Sequence, residues 1–185
     1  VVNVELCSLH FQRTPDLERL LSMLLFGDGA SAALVSARES GIALVDFRSA
    51  AIAGSADAIT WRIGDQGFDM HLDGVVPQRI AEALAAERAN GEPDGVLRGH
   101  TPDAFDLYAV HAGGRTILDA VERAFDLPTE ALQTSREVLR QFGNMSSATL
   151  MFVLARMLAN GARGNGMAMA FGPGLAAETF RFRIG

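Results

Sequence analysis

"FGNMSSATLMFVL" occupies residues 142–154, and its two halves ask for opposite environments. From Ala148 to Leu158 the chain is apolar almost all round. A helix without a polar face has to be buried on every side. In a chain of 185 residues that requires a layered fold with a central helix. The first half, with Gly143, Asn144 and two serines, reads as a helix start, where Asn and Ser cap. An asparagine there has two uses. It closes the helix end, or its amide donates into an oxyanion hole.

Outward from this helix, strands and helices interleave. Residues 1–11 read as a strand. Thr14 and Pro15 open a helix whose apolar residues recur at 17, 20, 21, 24 and 25. "FGDGASAALV" is a glycine-bounded turn into a strand. Residues 42–53 and 58–73 read as two more strands, and residues 76–88 as a helix with Val76, Ile80 and Leu84 on one face. A polar Gly/Pro-rich connection, "ANGEPDGVLRGHTPD", leads to the short apolar strand "FDLYAVH". Helical spacing returns at Ile117, Leu118, Val121, Ala124 and Phe125, and again from Leu132 to Phe142. "GMAMAF" and "LAAETFRFRIG" close the chain as strands. In the last, Phe180, Phe182 and Ile184 are expected inside and Thr179, Arg181 and Arg183 outside. The pattern predicts an α/β fold with a mixed sheet covered by helices.

The composition excludes several classes. Hydrophobic residues make up 49% and charged ones 21%, the balance of a globular domain. The net charge of −6, with no basic patch, argues against nucleic-acid binding. One cysteine, Cys7, leaves no disulfide framework, and the four histidines never fall at HExxH spacing, so no metal site is expected. No apolar run reaches membrane-spanning length. The expectation is a cytoplasmic protein. The chain opens inside a β-branched stretch without an initiator methionine, which reads as a fragment or as one half of a larger fold.

Three features carry possible chemistry. His111 ends the strand "FDLYAVH" and is followed by Ala112, Gly113 and Gly114. Strand carboxyl ends in open α/β sheets are where ligand sites form, and glycines let a substrate reach the backbone. The bland alternative is a satisfied core histidine before a turn. Asn144 follows 33 positions later. "AFGPG", with Phe171, ends a strand in a tight turn.

In order and spacing, "FGDGASA", "HAGG", "REVLRQFGNMSSA" and "AFGPGLAAET" resemble the C-terminal half of the chalcone/stilbene synthase family, the type III polyketide synthases. The opening "ELCSLHF" resembles the bacterial members. "HAGG" departs from the usual His-Pro-Gly-Gly at Ala112. The resemblance implies a thiolase-like fold of two similar halves, each a mixed five-stranded sheet with helices. This chain corresponds to the second half. It implies a Cys-His-Asn triad, with His111 and Asn144 as its histidine and asparagine and the nucleophilic cysteine in the first half. Cys7 matches a cavity-wall position instead.

The resemblance also implies substrates rather than a tightly bound cofactor: malonyl-CoA and a starter acyl-CoA. Phe26 matches the aromatic gatekeeper between the CoA tunnel and the cavity. Cys7, His10, Ser22, Trp61, Phe68, Met70, Ser146 and Phe171 match positions on or near the substrate cavity. Gly113, Gly114 and Thr116 lie where the pantetheine arm passes. The implied partners are the first half of the same enzyme and a second copy in a homodimer. Two other readings stay open: a ketoacyl-ACP synthase III-like condensing enzyme, and a non-catalytic half-domain that binds acyl chains.

Overall fold

The computed structural model describes residues 1–185 apart from Glu39 and Gln66, with the backbone only for Glu18 and Arg19. Strand β1 (Val2–Glu5) is followed by helix α1 (Leu17–Met23), β2 (Gly29–Ala32), β3 (Ile42–Ala51), β4 (Ile59–Gly64) and β5 (Gly67–Leu72). Then come α2 (Val76–Asn90), β6 (Leu107–Val110), α3 (Arg115–Phe125), α4 (Gln133–Phe142), α5 (Ser147–Ala159), β7 (Gly164–Gly172) and β8 (Ala176–Ile184).

The central sheet runs β3-β8-β7-β6, with β6 and β7 parallel and the other pairs antiparallel. Alternation along its inner strands divides the core in two. Tyr108, Val110, Met167 and Met169 pack with Val76, Ile80, Leu118, Val121 and Phe125 from α2 and α3. Ala109, Ala168, Phe182 and Ile184 face the other way, onto Val138, Ala148, Val153, Leu154 and Met157 from α4 and α5. Because successive strand side chains point to opposite faces, one short strand serves both helix layers. Gly166 makes room in this packing, since a Cβ there would overlap the Phe182 ring.

Five expectations need correction. The sheet of this chain has four strands rather than five; β1 with β2, and β4 with β5, form separate two-stranded ladders. Residues 1–11 are not one strand: the strand ends at Glu5 and Cys7–His10 is a 3₁₀ turn. Residues 58–73 are not one strand but the hairpin β4–β5, with Trp61 opposite Met70 and Ile63 opposite Phe68. The helix at 148–158 exists, but it is buried on one side only. Ala148, Thr149, Val153, Leu154 and Met157 face the core, while Ala155 is exposed and Leu158 is 41% exposed. In β8 the phenylalanines and Ile184 turn inward as expected, but Thr179 is also buried. Its hydroxyl accepts from Arg98 and donates to the Arg48 carbonyl, so the hydroxyl is satisfied.

Candidate functional site

Asn144 is fixed by its backbone before its side chain acts. Its N–H donates to Leu25 O at 2.7 Å, and its carbonyl accepts from Gly27 N at 2.9 Å, a parallel bridge centred on Phe26. Two glycines allow this approach. Gly143 has φ +72°, and a Cβ there would lie 2.8 Å from Leu25 O. A Cβ on Gly27 would collide with Phe142 O. The "FGDG" and "FGN" motifs, 116 positions apart between Gly27 and Gly143, are therefore two halves of one junction.

The Asn144 side chain is 7% exposed for the whole residue and doubly held. Its Oδ1 accepts from Ser146 N at 2.9 Å, and its Nδ2 donates to Gly113 O at 3.2 Å. The reversed amide would set NH₂ against an N–H and C=O against a carbonyl, so the orientation is determined. An amide nitrogen carries two protons, and the second is uncommitted among the described residues. The helix is capped at Ser146, not Asn144. Ser146 has φ 48°, a strained value for a residue with a Cβ, and makes no side-chain cap bond. Thr149 instead accepts from Met145 N at 2.8 Å.

His111 continues the β6–β7 ladder, its N–H donating to Met169 O at 2.8 Å. Gly113 N returns to His111 O at 3.0 Å, which turns the chain sharply below the ring. A Cβ on Gly113 would lie 3.7 Å from both Cδ2 and Nε2 of His111, so glycine leaves that ring edge uncovered. Gly113 thus touches both candidates: its carbonyl orients Asn144 and its bare Cα faces the imidazole. The His111 ring has no hydrogen bond among the described residues. Burial without a charge partner pushes its pKa down to about 4. The ring is neutral at neutral pH and carries a donor N–H. Gly114 caps α3 with open space where a Cβ would stand, and Thr116 is exposed two residues on, in the first turn.

A cavity of about 610 Å³ lies against Phe26 and Ser146, the neighbours of Asn144, while His111 and Asn144 themselves are not among its lining residues. Cys7, His10, Ser22, Phe26, Trp61, Phe68, Met70 and Ser146 all line it, eight of the nine residues expected there. The ninth, Phe171, does not. It sits on β7 opposite Ala177 and packs against the α2–α3 core, because the strand's alternation points it away. Ser146 joins cavity to pair, since its amide holds Asn144 and its hydroxyl lies 3.5 Å from Cys7 Sγ. Burial, with Glu5 and Asp28 nearby, pushes the Cys7 thiol up against the opposing Ser146 contact. A thiol held protonated is a poor nucleophile, which fits a wall position.

Glu5, Ser8, Phe11, Met23 and Leu24 also line the cavity, and the sequence reading missed them. A strand over residues 1–11 would have sent Cys7 and Ser8 to opposite faces. The 3₁₀ turn places both on the wall. Asp28 fixes that turn by accepting from Ser8 N at 2.7 Å and Ser8 Oγ at 2.6 Å, and these bonds hold its carboxyl below the usual carboxylate range. Glu5 accepts from the amide and hydroxyl of Ser147 at the start of α5. Among the described residues no three His, Cys, Asp or Glu side chains gather as a metal site, and no helix is long and apolar enough to cross a membrane.

Residues 44–184 match the family model of the chalcone and stilbene synthases, C-terminal domain. The chain belongs to this family and has its thiolase-like fold; the family match, not the fold, favours it over the ketoacyl-ACP synthase III alternative. Among similar proteins is 1,3,6,8-tetrahydroxynaphthalene synthase of Streptomyces griseus, 36% identical over 183 residues, covering 96% of this chain and 48% of that protein. The crystal structure of the synthase of the same name from Streptomyces coelicolor A3(2), a bacterial type III polyketide synthase, aligns with TM-score 0.87 and 31% identity. It covers 99% of this chain and 53% of the other. PKS-I from the brown alga Ectocarpus siliculosus aligns with TM-score 0.83 and 32% identity, over all of this chain and 52% of that one. The chain spans about half the length of the relatives it matches.

Proposed function

We infer that this chain acts as the C-terminal half of a type III polyketide synthase, which extends a CoA-linked starter by decarboxylative condensation with malonyl-CoA. His111 and Asn144 hold the malonyl thioester oxygen. As the bond from the methylene to the carboxylate carbon breaks, carbon dioxide leaves and the electron pair moves onto that oxygen. The N–H of the neutral His111 ring and the second N–H of Asn144 stabilise the enolate. Its carbon then attacks an acyl group carried on a cysteine of the first half. A carbon–carbon bond forms and the thiolate departs. Preorganised neutral donors of this kind are among the largest contributors to such rates.

The observation that supports this reading is the shared contact at Gly113. One residue orients the Asn144 amide and leaves the His111 Nε2 edge bare, and Ser146, which holds that amide, lines an apolar cavity. Gly114 and Thr116, at the open start of α3, are the proposed floor for the pantetheine arm. The test is malonyl-CoA decarboxylation by the full-length enzyme. His111→Ala and Asn144→Ala are each expected to slow it by about 100-fold or more, as loss of one oxyanion donor does. A rate unchanged in either variant removes that residue from the role.

A further inference from the structure

Within the cavity, one side chain has chemistry that the condensation does not use. His10 stands at the end of the Cys7–His10 turn. Its ring lies 5.2 Å from Phe68 and 6.1 Å from Trp61, centre to centre, and these two rings meet edge to face at 5.9 Å and 89°. Trp61 and Phe68 come from the two strands of the hairpin β4–β5, which therefore clasps the imidazole from one side. His10 makes no hydrogen bond among the described residues, so its orientation comes from ring packing and its nitrogens remain free. The other reactive groups on the wall are committed: Glu5 to Ser147, Ser8 to Asp28, and Cys7 to Ser146. No other lining residue is a histidine. Imidazole both accepts and returns a proton near neutral pH.

We propose that His10 is the acid–base group for carbon–carbon ring closure of the poly-β-keto chain held in this cavity. A ring nitrogen takes a proton from a methylene flanked by two carbonyls. The resulting carbanion bonds to a ketone carbon of the same chain, and the C=O pair moves onto oxygen. The imidazolium returns its proton to that alkoxide. The step is an isomerisation that needs neither oxidant nor a second reactant. It rests on the reading of the chain as part of an enzyme that extends with malonyl units.

The test is the product partition of the full-length enzyme supplied with malonyl-CoA. Carbon–carbon closure gives carbocyclic products, whereas attack by an enol oxygen on the thioester gives lactones and needs no C–H base. His10→Phe keeps an aromatic ring against Trp61 and Phe68 but removes both nitrogens. His10→Gln keeps hydrogen bonding without acid–base capacity. Both are expected to lower the carbocycle-to-lactone ratio by on the order of 100-fold, the low end for general acid–base catalysis. An unchanged ratio in His10→Phe overturns the proposal and leaves a packing role. A wild-type enzyme that releases only lactones overturns it too. An enzyme that consumes no malonyl-CoA overturns the underlying reading as well, and the absence of consumption tells this outcome from the others.

Discussion

His111 has an electrostatic setting that fixes which of two roles it performs. A histidine can aid a thiolate as imidazolium or an enolate as neutral donor. With its pKa pushed down to about 4 by burial, the ring of this chain is neutral. It then serves as a donor, and becomes cationic only beside an opposing charge. In the full-length enzyme with its nucleophilic cysteine replaced by alanine, the His111 ring protons should titrate near pH 4 by NMR. A midpoint near 6.5 contradicts the assignment. Stability follows with a definite sign. Above about pH 6.5 the ring is neutral folded and unfolded, and its burial costs nothing extra. As pH falls from 6.5 to 4 the unfolded chain binds the proton and the folded one does not, so stability is lost, by up to about 3 kcal/mol. In that alanine background, adding His111→Gln should flatten this part of the unfolding free-energy profile against pH. A profile unmoved by the substitution rejects the link.

At the scale of elements, the site depends on a close approach between two turns rather than on either alone. Gly143 holds φ +72° and ψ −163°, a region almost confined to glycine, within reach of Leu25 O. Gly143→Ala adds both backbone strain and a clash. It should cost about 1–3 kcal/mol and displace Asn144, so malonyl-CoA decarboxylation should fall further than stability alone explains. Full decarboxylation in a stably folded Gly143→Ala enzyme would show that this close approach is not needed. The sequence carried much of this. Helical spacing gave α2 and α3 closely, and the period-2 signal in β8 placed Phe182 and Ile184 inward. His111 and Asn144 stood out beside glycine-bounded motifs, while the eight cavity residues came from the resemblance to the chalcone/stilbene synthase family. What pairing decides was not legible. β1 ends at Glu5 because β2 offers only four partners. The apolar run at 58–73 folds back because Gly64 and Gly67 interrupt it. Phe171 was misplaced because a motif gives a residue's position and only strand register gives its face.

For the whole molecule, the unresolved demand is the apolar surface outside the two cores. Val4, Leu6, Leu9, Phe11, Leu21 and Leu24 are each more than half exposed, all within the first 24 residues. Scattered exposed leucines are ordinary, but these six fall within one short segment of chain, and Leu158 on α5 is 41% exposed as well. A net charge of −6 opposes association through repulsion, but it does not cover apolar surface. On the proposed function, its expected cover is the first half of a full-length synthase. The chain expressed alone should therefore sediment as polydisperse aggregates, and co-expression with the first half should return a soluble complex. A chain that is monodisperse by itself and melts cooperatively would mean that this surface is tolerated bare. It would also restore the reading of a free-standing acyl-binding domain, since a stable half with a 610 Å³ cavity would need no catalytic partner to hold a ligand.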